Sequence, residues 1–143
     1  MLEDYIKINL IKAEPCEKDG EPGYTVVFPN LGTSQWVSAD LFEQNHLKVT
    51  PNGSLPSNIS ISQEMVDNFI VDVETITMGE KTTVVRATLV NGYEIVKASA
   101  CVDPANYSEE IGKEICLEKI KDEIWSYLGF LLQTAVNGFK QEV

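Results

Sequence analysis

Apolar and polar positions alternate from Tyr5 to Pro15, with Ile6, Ile8 and Leu10 on one side and Lys7, Asn9 and Ile11 on the other, which predicts a strand. After the loop CEKDGEPG, the β-formers Tyr24, Val26 and Val27 predict a second strand over Gly23 to Phe28. A third runs through Gln35, Trp36 and Val37 after the turn PNLGT. Ser38 or Asp40 then caps a short helix holding Leu41 and Phe42, which ends before His46. Between Val49 and Ser60 the periodicity stops, and prolines with small polar residues mark a linker. Ser60 with Gln63 reads as a capping box for a short helix whose apolar positions are Ile61, Met65 and Phe69.

Three β-rich runs follow, Ile70 to Met78, Thr82 to Val90 and Tyr93 to Val102. The turns between them are Met-Gly-Glu-Lys and Asn91-Gly92, the second expected as a type I′ turn with both residues at positive φ. The pattern predicts a three-stranded antiparallel meander. Val85, Ala87 and Leu89 share one face of the middle strand, and Val96, Ala98, Ala100 and Val102 share one face of the third, so one side of the sheet is expected to be apolar. A helix then starts at Asn106 as its cap, with Glu109 completing the box and Glu110 meeting the positive dipole end. Ile111, Ile115, Ile120, Ile124, Leu128, Leu131 and Ala135 form a stripe along about eight turns, the surface that should cover the sheet.

The expected fold class is α+β: a three-stranded antiparallel meander packed by a long C-terminal helix, preceded by a small β-rich N-terminal module. The boundaries are 1–50 for the module, 51–60 for the linker and 61–143 for the core domain. Near its end the helix carries IWSYLGFLL, more apolar surface than one sheet face hides. Either a C-terminal tail folds over it, or Ile124, Trp125, Leu128, Phe130, Leu131 and Leu132 form a homo-oligomer interface.

Charge narrows the partners. The 143 residues hold 22 acidic and 11 basic side chains, a net charge of -11, which disfavours polymeric nucleic acid and anionic membranes. A small anion is still admissible, since salt screens a distant field within about 10 Å. Cys16, Cys101 and Cys116 form neither a CxxC pair nor a disulfide framework, and Cys101 and Cys116 read as small buried hydrophobes. No apolar run reaches the roughly 18 residues of a membrane span, and charges break the N-terminal run before it becomes a signal peptide. A reducing cytosol is the expected compartment. The sequons at Asn52 and Asn58 read as loop residues.

Catalytic chemistry finds little to work with. His46 is the one histidine and has no nearby nucleophile pattern, and the pairs Glu109-Glu110 and Asp122-Glu123 read as solvated helix positions. No phosphate-loop, dinucleotide, zinc-helix or calcium-loop motif is present, so neither a metal nor a cofactor is expected, and the chain is expected not to be an enzyme. The helix start at Asn106-Tyr107-Ser108, fed by a strand, is a ready anion site. With it Arg86, Tyr93, Asp103, Asn106, Tyr107 and Lys113 form the candidate ligand-binding residues, Arg86 being the one arginine and Tyr93 or Tyr107 able to stack a base.

The runs VVRATLVNGYEIVKASACVDPANYSEEIGKEI and KIKDEIWSYLGFLL resemble a family of small phage and prophage proteins of mostly unknown role. GYTVVFPNLGTSQWVSADLFEQ resembles a short module found in phage proteins, with a shortened loop. This kinship implies an accessory protein made in the cytoplasm of a host bacterium. The overall plan is similar to phage sponge proteins that oppose Thoeris defence by sequestering cyclic ADP-ribose-type signals. That resemblance implies an oligomeric, non-catalytic protein with a small nucleotide ligand. The alternative is an accessory or adaptor protein acting through protein contacts, with Trp36, Leu41 and Phe42 either as exposed anchors or as core.

Overall fold

The computed structural model describes residues 1–28 and 30–140. It separates into two units, Met1–Val49 together with the chain from Leu132 on, and Thr50–Leu131. The segment 51–60, read as a linker, groups with the second unit, where the Ser60 hydroxyl accepts from the Asn52 amide at 2.8 Å.

In the first unit β1 (Lys12–Pro15), β2 (Gly23–Phe28) and β3 (Thr33–Ser38) form an antiparallel sheet in that order, followed by α1 (Ala39–Glu43). The strand expected from Tyr5 begins only at Lys12. Lys12 already pairs with Val27, so β2 has one residue left for the ladder, and the Leu10 amide bonds the Ala135 carbonyl at 3.2 Å instead. Val26 is the buried apolar side chain of this sheet. Trp36 donates its indole N–H to the Cys16 carbonyl at 2.8 Å and lies against Gly23, where any Cβ would collide with the ring. Tyr24, Phe42 and His46 stack in series, with ring centroids 4.3 and 3.9 Å apart. Phe42 thus belongs to this stack, Trp36 is half-buried, and Leu41 is exposed.

The second unit contains α2 (Gln63–Asn68), β4 (Ile70–Met78), β5 (Thr82–Leu89), β6 (Glu94–Ala100) and most of α3 (Glu109–Asn137). Ser62, not Ser60, caps α2, its hydroxyl accepting from the Met65 amide, because Ser60 is occupied by Asn52. The strands form an antiparallel meander, β4-β5-β6, as the alternation predicts. At the second turn only Gly92 takes positive φ. Gly92 N–H bonds the Leu89 carbonyl, the Leu89 amide bonds Tyr93, and Asn91 accepts from the Tyr93 amide through its side chain. This is a type I turn closed by a left-handed glycine instead of type I′.

Helix α3 covers the face carrying Thr83, Val85, Ala87, Leu89 and Ile95. Cys116, Ile120, Ile124 and Leu128 enter the core from α3, and Met65, Val66 and Phe69 from the α2 region. Two expectations are corrected. Val96 and Val102 are exposed, because β6 turns Ile95, Lys97 and Ser99 to the helix and Val96, Ala98 and Ala100 away. Ile111 and Ile115 are also exposed, since the first turns of α3 present Gly112 and Cys116 inward. A Cβ at position 112 would overlap the Thr83 side chain, so glycine lets the helix approach β5 closely.

Candidate ligand-binding site

The chain leaves β6 through Asp103, whose carboxylate accepts from the Ala105 amide at 2.9 Å and caps a 3-10 turn over Pro104–Asn106. Ser108 then caps α3, its hydroxyl accepting from the Ile111 amide and its carbonyl from Gly112. Asn106 was expected in that role; its own amide instead closes the 3-10 turn on Asp103. The intervening turn displaces the helix start by two residues. A serine followed directly by two glutamates was the available signal.

Between this helix start and the ends of β5 and β6 lies a cavity of about 90 Å³. Lys81, Thr83, Asn106, Tyr107, Ser108 and Gly112 line it, with Cys101, Ile111 and Ile115 among the remainder. Lys81 brings an ammonium group, which donates to the Val102 carbonyl at 3.2 Å. The helix start brings amides and the positive dipole end. An anion is the species this combination suits.

Tyr107 is more constrained than a stacking platform. Its hydroxyl lies 2.9 Å from Thr83 Oγ1 and 2.7 Å from Thr77 Oγ1, and Thr77 hydrogen-bonds the Glu109 carboxylate. Each hydroxyl has one proton and an ionised carboxylate only accepts. The bonds therefore run in one direction: Thr83 donates to Tyr107, Tyr107 to Thr77, and Thr77 to Glu109. The ring lines the cavity while the hydroxyl pins the turn onto the sheet.

The other predicted ligand residues are not gathered there. Arg86 projects from the open face of β5, opposite the face that carries Thr83, and pairs with Glu74 at 2.6 Å and Glu94 at 3.9 Å. Tyr93 sits at the hairpin tip, edge-on to Tyr127 at 5.7 Å. Thr83 pairs with Ser99 and Thr88 with Glu94, which puts the tip about 16 Å along the strands from the cavity. Lys113 is exposed on α3 and lines no part of it. Lys81, Thr83 and Gly112 were missed, since only the folded hairpin brings the β4–β5 turn beside the helix start, which was read at Asn106-Tyr107-Ser108.

The expected interface residues also divide. Ile124 and Leu128 are fully buried in the second unit's own core, and Leu132 is buried in the first unit, so none of these three offers surface. Trp125 and Leu131 are half-buried, and Phe130 is 74% exposed. Trp125 borders a groove of about 430 Å³ between α2 and α3. Glu114, Glu118 and Asp122 line it beside Lys121, a setting that repels anions. Asp67 is held below the usual carboxylate range by hydrogen bonding to Lys121 and then Gln63, and Glu123 by Lys97. Tyr127 is pushed up to about 12, first by the Tyr93 phenol and then by Glu123. Burial raises the Cys116 thiol.

Among the described residues no three His, Cys, Asp or Glu side chains converge to hold a metal, and no helix is long and apolar enough to cross a membrane. His46 donates from Nδ1 to the Phe42 carbonyl at 2.7 Å. Comparison with protein families matches residues 61–136 to one described as phage protein (N4 Gp49/phage Sf6 gene 66) family. Against curated proteins and solved structures the chain has no significant match.

Proposed function

We propose, from the premise that the chain belongs to the phage protein family N4 Gp49/phage Sf6 gene 66, that it is a non-catalytic binding protein in the host bacterial cytoplasm. Its ligand in this reading is a phosphate-bearing nucleotide immune signal, of cyclic ADP-ribose or cyclic oligonucleotide type, and its effect is to withhold that signal from anti-phage defence. The observation that carries the reading is the cavity at the start of α3, where Lys81, the Ser108-capped helix end and the Tyr107 ring meet. Its volume of about 90 Å³ suits a phosphate-sized group. Whole-ligand sites run to about 300–1,000 Å³. Base and sugar must therefore rest on surface outside the cavity, and a second copy of the chain is the source of that surface.

Calorimetry against cyclic ADP-ribose isomers and cyclic di- and trinucleotides tests the reading, with heat release and chromatography to check that the ligand returns intact. Lys81→Ala removes a charge-assisted hydrogen bond, for a loss of about 10-fold or more in affinity. Arg86→Ala should change affinity less than about 2-fold. Absence of binding across the panel overturns the proposal, and a ligand returned cleaved replaces sequestration with catalysis.

The second reading is an adaptor acting through protein contacts. The exposed apolar side chains Leu31, Leu41 and Phe130 favour it. It predicts no thermal shift with any nucleotide.

A further inference from the structure

Strand β4 is an edge of its sheet. It spans Ile70–Met78, pairs with β5 on one side and has no strand on the other among the described residues. The opposite edge of the same sheet is guarded, since Lys119 from α3 donates to the Ala98 carbonyl of β6 at 3.3 Å. β4 holds neither lysine nor proline, which ordinarily block pairing at an edge, and of its two charged side chains, Asp72 and Glu74, the second is paired with Arg86. Its other blocking feature, a bulge, is confined to its start between Ile70 and Asp72. Asp72–Met78 is an unobstructed template.

We propose that β4 pairs antiparallel with β4 of a second copy, about a two-fold axis through Thr75, joining two three-stranded sheets into one continuous sheet. The register follows from faces and charges. Val73, Thr75 and Thr77 sit opposite the buried Ala87, Val85 and Thr83, so the odd positions face the covered side and the even positions the open side. A pairing that mixes odd with even sets covered side chains beside open ones and is excluded. Of the rest, centring on Glu74 puts that carboxylate opposite its own copy, and centring on Val73 puts Asp72 opposite Glu74. Like charges directly opposed are destabilising. Centring on Ile76 leaves Asp72 and Val73 outside the strand overlap. Centring on Thr75 uses all of Asp72–Met78 and sets Glu74 opposite Ile76, Asp72 opposite Met78 and Val73 opposite Thr77.

A separate observation falls on the same residue. Thr75 Oγ1 is buried and has no hydrogen-bond partner among the described residues. Buried hydroxyls are ordinarily bonded. In this register Thr75 lies directly opposite Thr75 of the second copy, on one face and at cross-strand distance, where rotation about χ1 turns the two hydroxyls from their buried positions toward each other to hydrogen-bond.

The inference rests on the self-association invoked above but not on the nature of the ligand, and ligand-free protein tests it. Sedimentation velocity on the full chain should show a concentration-dependent dimer. Ile76→Glu puts carboxylates opposite each other twice by symmetry and should weaken the dimer about 10-fold or more. Ile76→Lys adds a residue that blunts edges but sets it opposite Glu74, so it should weaken the dimer clearly less than Ile76→Glu, and Glu74→Gln added to Ile76→Glu should recover most of the loss. Val96→Glu, a change at an exposed position on β6, should have no effect. Circular dichroism checks that each variant folds. A parent that stays monomeric to about 100 µM overturns the proposal, and so does equal dissociation by Ile76→Glu and Ile76→Lys. Dissociation by Val96→Glu overturns it in favour of contact through the open face.

Discussion

The two units are built on the same plan, three antiparallel strands and a helical segment, yet they hold together differently. In the second, every other residue of β5 is buried, and α3 delivers Cys116, Ile120, Ile124 and Leu128 onto that face. In the first, Val26 is the buried apolar residue of the sheet, and stacking takes over: Tyr24 on Phe42 on His46, and Trp36 over Gly23 with Lys18 5.5 Å from its ring. Leu2, Tyr5, Ile6 and Leu31 stay exposed. Sheet formation and core formation are separate achievements. Strand pairing needs only a turn and β-formers, whereas burial needs an apolar face of the right length to lie across it.

The sharpest test of that contrast is truncation. Ile120→Ala in the second unit should cost about 3–5 kcal/mol, because close-packed surroundings cannot collapse into the vacated space. Val26→Ala in the first should cost about 1–2 kcal/mol, since few neighbours lose contact. Chemical denaturation followed separately by the two regions, through hydrogen exchange, reads both; equal costs would break the comparison.

Hydroxyl removal is the next smaller effect. Tyr107→Phe strands Thr83 and Thr77 within a directed chain and should cost about 1–2 kcal/mol in a thermal melt. Tyr24→Phe removes an exposed bond to Glu43 and should fall within about 0.5 kcal/mol. Solvent replaces the bond to Glu43, whereas the Thr83 end of the Tyr107 chain is fully buried.

The smallest expected effect is in pH dependence, where only the second unit carries depressed carboxylates and both units carry a raised phenol. Asp67 and Glu123 in the second unit have folded pKa values depressed by Lys121 and Lys97. Their stabilisation is full above the ordinary values of 3.8 and 4.5 and is lost as pH falls below them. Tyr24 in the first unit is raised from 10.0 by its bond to Glu43, so its contribution is full below that pH and is lost as pH rises past it. These exposed pairs carry little energy. Hydrogen exchange at pH 3 should therefore show the second unit loosening ahead of the first; the reverse order would remove the assignment. An ultraviolet titration should also show one phenol ionising last, Tyr127, near 12.

The strands around Asn91-Gly92 were legible because a tight turn and alternating apolar residues are local signals, and the long helix because its period runs over many residues. Less of the site was legible. Asn106 and Tyr107 were placed beside the cavity from the strand-to-helix junction alone, but Arg86 and Tyr93 were joined to them by nearness in sequence. Arg86 belongs to the opposite face of the sheet, and Tyr93 to the far end of its hairpin. Lys81 and Gly112 carried no sequence mark of function. Each gains its role from what the fold sets beside it.

Sequence by itself determined the class of this protein: which stretches are strand or helix, where the chain turns, and that its surface is acidic. Those properties depend on dihedral preference, period and charge, which residues carry within a few positions of one another. Tertiary structure decided which β6 face is covered, why glycine stands where α3 meets Thr83, and which charges surround the cavity. These depend on distances between residues remote in the chain, and such distances exist only once the backbone has closed on itself.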